Sequence, residues 1–456
     1  MPRLSAAGTV VQASWVVLGP EGQAWARAVM EAGAACPALR VDGQSGAMSL
    51  RAAASTPLQR PSTTDPDAGK PAVFGMTVCE APLPVGVARV ELGGHALPVP
   101  SAAPQRILVL GDTGCRIKGR DVQACNDDSA WPFARIAAAA ASLAPDLVIH
   151  LGDYHYRETP CPANNISCAG SPWGYGWDAW KADFFAPAAP LLAAAPWVFV
   201  RGNHEECHRA GQGWFRLLAP EPWRAERSCD DSRFDDAADF SAPYSVPLGG
   251  GLELQVFDSA LAGNTPLDPG KPREALILAQ YARQLADLFG PNAATPSSGV
   301  PSRRWFASHH PAFGLVPDYL HPGGLPQRGN PALQQALLTG LGHTTFPTGI
   351  DLALHGHVHQ FQAIRFATPH AATLIAGHGG DGLDHDVPRR LPAGFGPTEG
   401  LEIAEITHSA HFGFLLLERR GVERWRVLAY RIDGSLLTEC ALQGSVLECS
   451  PKGALH

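Results

Sequence analysis

Short apolar runs alternate with helical stretches through the middle of the chain. The apolar runs are Ile107 to Leu110, Leu147 to Leu151 and Trp197 to Val200, and the helical stretches between them are Pro132 to Leu143 and Trp177 to Ala194. The proline that opens the first helical stretch suits the first turn of a helix. Buried strands that alternate with helices predict a sheet with parallel βαβ units, whose loops gather at one edge of the sheet.

The same alternation continues towards the carboxyl terminus. We predict strands at Leu252 to Phe257, Trp305 to Ser308 and Ile350 to Leu354, and helices at Arg273 to Leu288 and Pro331 to Leu338. Three further runs are predicted to close the domain as antiparallel strands: Phe412 to Leu417, Trp425 to Ile432 and Leu436 to Thr438. The segments Cys207 to Tyr244 and Gly290 to Ser302 are predicted to be long loops.

The first hundred residues have a different pattern. Short strand-like runs, Val10 to Leu18, Ala24 to Met30, Ala47 to Ala52 and Val87 to Leu92, are separated by segments rich in Gly, Pro and Ser. This predicts a small β-sandwich domain over residues 1–100. The Ala- and Pro-rich segment Leu97 to Pro104 is predicted to be a linker, and residues 105–456 a second, larger domain.

Composition and charge exclude several classes of protein. The 456 residues are 45% hydrophobic and 17% charged, which is typical of a soluble globular protein. The 35 Lys and Arg against 43 Asp and Glu give a net charge of −8, and the basic residues form no long block. We therefore expect no binding to nucleic acids or to anionic membranes. The apolar stretches are broken by prolines and charges, so no membrane span is expected.

The ten cysteines fall into neighbouring couples: Cys36 with Cys79, Cys115 with Cys125, Cys161 with Cys168, Cys207 with Cys229, and Cys440 with Cys449. An even number without a CxxC motif favours disulfides over metal-binding thiols, although spacing does not fix the connectivity. We expect a periplasmic or extracellular protein. No leader sequence is recognisable near Met1, so we expect that one has been removed.

Five short motifs carry potential metal ligands, and each lies where an apolar run ends. They are GDTG (111–114), GDYHY (152–156), GNHE (202–205), SHHP (308–311) and HGHVH (355–359). Together they offer two carboxylates, a phenol, an amide and several imidazoles. This set suits two hard or borderline cations better than a single structural zinc ion.

The order of these motifs resembles the calcineurin-like metallophosphoesterase superfamily, and within it the purple acid phosphatases. The resemblance extends over Ile107 to about Gly380, and the amino-terminal β-sandwich is similar in placement to that of the larger purple phosphatases. It implies the α/β fold of that superfamily, a four-layer α/β/β/α sandwich preceded by a small β-sandwich domain. It also implies hydrolysis of phosphate monoesters by a metal-bound hydroxide.

The resemblance further implies two sets of metal ligands that share one carboxylate, Asp153. The first metal would be held by Asp112, Asp153, Tyr156 and His359, and the second by Asp153, Asn203, His309 and His357. A carboxylate can bind through both oxygens, so a shared aspartate keeps two cations close enough to bind one phosphoryl group. In an extended segment His357 and His359 would face the same side.

Two positions distinguish the purple acid phosphatases from their relatives, which have a histidine where this chain has Gly114 and lack the ligand Tyr156. A phenolate favours Fe(III), and the second ion is then expected to be divalent iron, zinc or manganese. The alternative is that Tyr156 packs in the core and that both ions are divalent.

Three histidines are candidates for catalysis. His204 resembles the imidazole that contacts phosphate and protonates the leaving group in the family, and Glu205 is predicted to orient it. His310 follows the ligand His309 and has a packing role as its alternative. His321 lies in the next loop and has a surface role as its alternative.

The expected substrate is a small phosphorylated molecule. The alternative activities are a phosphodiesterase or nucleotide pyrophosphatase that uses the same ions, and a metal-binding protein without turnover. The sequence leaves the oligomeric state open.

Overall fold

The computed structural model describes residues 10–62, 64–290 and 303–455. All but the first residue of the predicted loop Gly290 to Ser302 therefore lies outside the described residues. The other predicted loop, Cys207 to Tyr244, contains two short helices and two single helical turns.

Eight strands make up the amino-terminal region: β1 (Val11–Leu18), β2 (Ala24–Glu31), β3 (Ala38–Val41), β4 (Gln44–Ala47), β5 (Ser49–Ala52), β6 (Met76–Leu83), β7 (Val90–Leu92) and β8 (His95–Leu97). The first half of the following domain contains β9 (Arg106–Leu110), β10 (Ile117–Lys118), β11 (Asp121–Val122), α1 (Phe133–Ser142), β12 (Leu147–His150), α2 (Trp177–Trp180), α3 (Ala186–Ala194), β13 (Trp197–Phe199), α4 (Gly211–Leu217) and α5 (Asp235–Ala238).

The second half contains β14 (Tyr244–Gly249), β15 (Leu252–Val256), α6 (Pro272–Phe289), β16 (Arg303–Ser308), β17 (Leu315–Val316), β18 (Gln327–Arg328), α7 (Pro331–Leu341), β19 (Ile350–His355), β20 (Phe361–Phe366), β21 (Ala372–Ala376) and β22 (Ile403–Ser409). The chain ends in β23 (Gly413–Arg419), β24 (Arg424–Arg431), β25 (Leu436–Gln443) and β26 (Val446–Ser450). The predicted helices and most predicted strands lie within a few residues of these bounds.

Two large sheets pack face to face in the centre of the molecule. The first has the order β26-β25-β24-β23-β9-β12-β13-β1-β2-β6-β5, and the second has the order β14-β15-β16-β19-β21-β20-β22. Apolar side chains from both sheets, among them Val109, Ile149, Leu254 and Leu352, form one continuous core between them. This core buries the inner face of each sheet.

Helices cover the outer face of each sheet. The first sheet packs against α1 and α3 through residues such as Ile136 and Leu191, and the second packs against α6 and α7 through residues such as Tyr281 and Leu333. The result is the predicted four-layer α/β/β/α sandwich. The strands β9, β12 and β13 are mutually parallel, as are β15, β16, β19 and β21.

The amino-terminal β-rich region is present, and it is joined directly to the first large sheet. Strand β1 pairs in parallel with β13, at Val17 and Trp197, so that β1, β2, β6 and β5 continue that sheet. The remaining four strands form a separate sheet in the order β4-β3-β7-β8. That the chain divides into two domains near residue 100 stays a prediction. Backbone hydrogen bonds between β1 and β13 connect the two sides of this predicted boundary.

A buried charge cluster connects the amino-terminal strands to α4, the helix that follows the GNHE motif. Arg27 and Arg51 share the carboxylate of Glu80, with nitrogen–oxygen distances of 3.2 and 2.8 Å. Their remaining N–H groups donate to backbone oxygens at the end of α4 and just beyond, including those of Leu217 and Ala219. These oxygens have no partner within the helix, so the two guanidinium groups cap it.

All five predicted cysteine couples form disulfides. Such a number is typical of proteins from oxidising compartments. Among the described residues, every helix is too short or too polar to span a membrane.

We predict that Glu80→Gln lowers the free energy of unfolding by about 3–5 kcal/mol, because it leaves two buried guanidinium groups without a carboxylate. The matched control is Glu91→Gln on β7, whose partner Arg89 is 73% exposed; its effect should stay below about 1 kcal/mol. Urea unfolding measures both. Equal losses in the two variants would contradict the importance of the cluster.

Candidate metal centre

The five motifs meet at one edge of the two sheets. Asp112 and Asp153 follow the parallel strands β9 and β12, and Asn203 follows β13 in the same sheet. His309 and His357 follow β16 and β19, which are parallel in the second sheet. Because parallel strands place their carboxyl ends at the same edge, residues far apart in the sequence converge there.

Backbone hydrogen bonds tie these loops to one another. The amides of Asp112 and Thr113 donate to the carbonyls of Gly152 and Asp153 at 3.0 Å. The His357 amide donates to Asp112 Oδ2 at 3.0 Å. The position of each motif is therefore set by its neighbours as well as by its own strand.

Three of the predicted ligands have a strained backbone. Asp112, Asp153 and His357 have φ values of 56°, 58° and 67°. The left-handed region costs about 1–2 kcal/mol for residues other than glycine. Strain at three predicted ligands on separate loops, held in place by the surrounding hydrogen bonds, is typical of a functional site.

The predicted ligands of the first metal form a compact group. The Tyr156 hydroxyl lies 2.8 Å from Asp153 Oδ2, 3.2 Å from Asp112 Oδ1 and 3.1 Å from His359 Nε2. His359 Nε2 also lies 3.3 Å from Asp112 Oδ1. Four side chains thus direct oxygen and nitrogen atoms to one point, and both carboxylates are almost fully buried.

The predicted ligands of the second metal form an adjoining group. His309 Nε2 lies 3.2 Å from Asp153 Oδ2 and 3.0 Å from Asn203 Oδ1. His357 Nδ1 lies 3.2 Å from the same Asn203 oxygen. The Asp153 carboxylate therefore stands between the two groups, in the position expected of a bridging ligand.

The outward-facing nitrogen of each of the three imidazoles is held by an oxygen acceptor. His309 Nδ1 donates to the Leu151 carbonyl at 2.8 Å, His359 Nδ1 to the Gly382 carbonyl at 2.8 Å, and His357 Nε2 to Asn264 Oδ1 at 3.0 Å. Because carbonyl oxygens only accept, the lone pair of each ring lies on the nitrogen that faces the cluster. This is the arrangement of metal-binding histidines, and the donor set fits two cations.

Tyr156 occupies the space beside Gly114. A Cβ at position 114 would lie 2.9 Å from Tyr156 Cδ2, so a larger side chain there would displace the ring. Burial raises the pKa of the Tyr156 phenol well above its usual value, and the Asp153 and Asp112 carboxylates add to the rise. A cation bound to the oxygen acts in the opposite direction, so ionisation of this phenol depends on a bound metal.

Glu205 does not orient His204 as predicted. Its carboxylate accepts hydrogen bonds from the backbone amides of Asp153, Tyr154 and Gly202, at 2.9 to 3.1 Å. Burial raises the pKa of Glu205 to about 8, with the Asp153 charge as the next cause. Glu205 thus joins the GDYHY loop to the GNHE loop rather than acting on the imidazole.

His204 lies over the first half of the cluster. Its ring centre is 3.8 Å from that of Tyr156, and its Nδ1 lies 2.9 Å from Glu158 Oε1. Arg209 Nη2 lies 2.7 Å from His204 Nε2 and is also paired with Glu158. Burial, followed by the Arg209 charge, lowers the pKa of His204 to about 3, and a bound phosphate dianion would raise it.

His310 and His321 occupy different environments. His310 is buried, and its ring centre lies 4.0 Å from that of His357. His321 lies on a loop, with its side chain 79% exposed and its Nδ1 3.1 Å from Asp318 Oδ2.

The structure adds residues near the cluster that the five motifs do not contain. Asp381 pairs with Arg116, and Asp381 Oδ2 lies 3.4 Å from His359 Nδ1. Asn264 and Arg209 belong to segments outside the five ligand-bearing motifs. Of these residues, only Asp381 has a signal in the sequence, because it lies in the segment GHGGDG (377–382), whose glycines are typical of a tight turn.

A cleft of about 460 Å³ opens beside the second group of ligands. Its lining includes the predicted ligands Asn203 and His357 together with His310, Leu261, Asn264 and Arg273. A small organic molecule can therefore reach the cluster from this side.

Comparison with known proteins agrees with this geometry. Residues 105–361, more than half of the chain, match the family model of the calcineurin-like phosphoesterases. The fold is similar to that of purple acid phosphatase PPD1 from yellow lupin (Lupinus luteus) seeds, with a TM-score of 0.56 and 14% identity over 95% of this chain and 74% of that one.

The fold is also similar to that of PhoD, with a TM-score of 0.52 and 12% identity over 99% of this chain and 94% of that one. At these identities the likeness concerns the fold alone. No curated protein matches the chain at a significant level.

We predict that Asn264→Leu lowers the affinity for the second cation by about 10- to 100-fold, because His357 loses the acceptor that orients its ring. The matched control is Thr265→Ala, an exposed neighbour on the same loop, which should bind as the parent does. Titration against a competing chelator, with elemental analysis, measures both. Unchanged affinity in Asn264→Leu would contradict the role of this hydrogen bond.

Proposed function

The chain belongs to the calcineurin-like phosphoesterase family, and from this premise we propose that it hydrolyses phosphate monoesters at a dinuclear metal centre. As a member of this family it is a phosphoric ester hydrolase. The observation that carries the dinuclear proposal is the position of Asp153, whose Oδ2 is 2.8 Å from the Tyr156 hydroxyl and 3.2 Å from His309 Nε2.

In this proposal each cation has four protein ligands. Asp112, Asp153, Tyr156 and His359 hold the first, and Asp153, Asn203, His309 and His357 hold the second. When bound, the two cations would supply a hydroxide nucleophile near neutral pH and neutralise charge on the phosphoryl group. The Tyr156 phenol supports Fe(III) at the first position, and the neutral Asn203 amide supports divalent iron, zinc or manganese at the second.

The side chains around the cluster bind and orient the ester. His204 faces the cluster with Nε2, which lies 3.8 Å from Asp153 Oδ2, and it would donate a proton to the departing alcohol oxygen. Glu158 and the His155 carbonyl hold His204 Nδ1 at 2.9 and 3.0 Å, so the ring cannot turn away. His310 lies against His357 and would support that ligand, and His321 remains a candidate for contact with the outer part of the substrate.

The five disulfides support a periplasmic or extracellular location for this activity. The expected substrate is a small phosphorylated molecule, because the accessible cleft has the volume of a small-molecule site.

We predict that the purified protein absorbs visible light through a tyrosinate-to-iron charge-transfer band and contains two metal ions per chain. Tyr156→Phe should lose the band, because it removes the phenol oxygen and keeps the ring. Tyr154→Phe is the matched control, since the Tyr154 hydroxyl donates to the Val200 carbonyl at 2.8 Å instead of facing the cluster. A colourless protein with two zinc or manganese ions would contradict the ferric assignment.

We predict that Asn203→Ala and His204→Ala fail in different ways. Asn203→Ala should lose the second metal together with turnover. His204→Ala should keep both ions and lose about 10²- to 10⁴-fold in kcat with glycerol phosphate, which has a poor leaving group. Its loss with p-nitrophenyl phosphate should be smaller, because that leaving group needs little protonation. Equal losses with both esters would show that His204 is not the proton donor.

A further inference from the structure

The connection between β5 and β6, residues 53–75, contacts the domain that carries the predicted ligands. Near its start the buried Arg60 guanidinium is paired with Asp235. Near its end the Val73 carbonyl accepts a hydrogen bond from the Trp177 amide, the first amide of α2, at 2.9 Å. This part of the amino-terminal region is therefore held against the loops that surround the cluster.

One residue of this connection reaches the surroundings of the proposed proton donor. The Thr64 hydroxyl donates a hydrogen bond to Glu158 Oε2. The other oxygen of that carboxylate, Oε1, lies 2.9 Å from His204 Nδ1. An ionised carboxylate only accepts hydrogen bonds, so both Thr64 and His204 are donors to it. Two hydrogen bonds in series thus join the amino-terminal region to the His204 ring.

The Glu158 carboxylate depends on few protein donors. Glu158 is 2% exposed, so water does not replace a donor that is lost. Arg209 is paired with Oε1, the oxygen that also faces His204. Among the described residues, Oε2 accepts only from the Thr64 hydroxyl and, at 3.4 Å, from the Tyr175 hydroxyl. Loss of the Thr64 hydroxyl would therefore leave Oε2 with one long hydrogen bond, and the carboxylate could turn.

Local hydrogen bonds hold the backbone on which Thr64 lies. The Ser62 hydroxyl oxygen accepts from the amides of Thr64 and Asp65, at 3.3 and 3.0 Å. Asp65 Oδ1 in turn accepts from the Asp67 amide at 3.0 Å and caps a single helical turn. Side chains of this kind fix turns by binding nearby amides. The Thr64 hydroxyl is thus presented to Glu158 by a preformed backbone.

We propose that Thr64 is a positioning residue for His204, so that the amino-terminal region supplies part of the active site. This inference rests on the proposed function and extends it to a segment outside the five motifs. Thr64 fixes the Glu158 carboxylate, and Glu158 keeps the His204 ring turned with Nε2 towards the cluster. A proton donor must point at the departing oxygen, so a small rotation of the ring lowers the rate without weakening the binding of the phosphate by the cations.

The first test is Thr64→Val in the metal-loaded protein, because it removes the hydroxyl and keeps the shape of the side chain. The kcat with glycerol phosphate should fall about tenfold, and KM should stay within about twofold. The loss with p-nitrophenyl phosphate should be smaller, because that leaving group needs little protonation. Thr64→Ser should restore most of kcat. Thr56→Val, at an exposed threonine of the same connection, is the matched control and should keep the parent kcat.

A double-mutant cycle separates positioning from a general effect on the fold. In the His204→Ala background, Thr64→Val should change kcat by less than about twofold, because its effect acts through His204. A purely structural role of Thr64 would lower kcat by the same factor in both backgrounds, and that result would overturn the inference. If Thr64→Val does not fold, Thr64→Ala, which also lacks the hydroxyl, replaces it in each comparison.

An unchanged kcat in Thr64→Val, or equal losses with the two esters, would overturn the inference and leave the proposed function standing. A parent protein that hydrolyses neither ester would contradict the proposed function. In that case crystal structures of the parent and of Thr64→Val decide the inference. A His204 ring that has turned away from Glu158 in the variant supports it, and an unchanged ring overturns it.

Discussion

Two carboxylates, Asp112 and Asp153, are buried side by side, and most of the surrounding structure follows from that constraint. Burying like charges in a region of low dielectric is unfavourable unless a cation or several hydrogen-bond donors compensate them. Burial raises the pKa of Asp112, while His309 and His204 outweigh the effect of burial and hold the pKa of Asp153 well below its usual value. The donor set around them is therefore suited to positive ions.

The loops that carry these groups are held in conformations that they would not adopt alone. Glu205 accepts hydrogen bonds from three backbone amides of two loops, and this compensates for the left-handed backbone at Asp153. Gly152 has a φ of 99°, and a Cβ there would lie 2.6 Å from His309 Nδ1. Close contacts between loops and left-handed backbone conformations thus occur together at the positions where the predicted ligands converge.

The amino-terminal strands also belong to this support. Arg27 and Arg51 reach across to the end of α4, and α4 follows the loop that contains Asn203 and His204. The amino-terminal strands are therefore linked, through one helix, to the segment that follows the GNHE loop.

The sequence by itself determined the parts of this protein that depend on neighbouring residues. Apolar runs followed by Asp112, Asp153 and His309 predicted strand ends with ligands, because strand formation and the turn after it are local properties. The order of the motifs predicted the family and the four-layer fold, and both are confirmed. The even number of cysteines favoured disulfides, and the structure fixed which cysteines pair.

Only the tertiary structure decided the contacts between distant segments. Three contacts join residues that are far apart in the sequence: the pairing of β1 with β13, the hydrogen bond from His357 to Asn264, and the position of Glu158 beside His204. The prediction that Glu205 orients His204 was wrong for the same reason, because Glu205 instead accepts hydrogen bonds from backbone amides of the two loops. Such contacts depend on how two sheets and their loops pack, and packing is set by the whole chain.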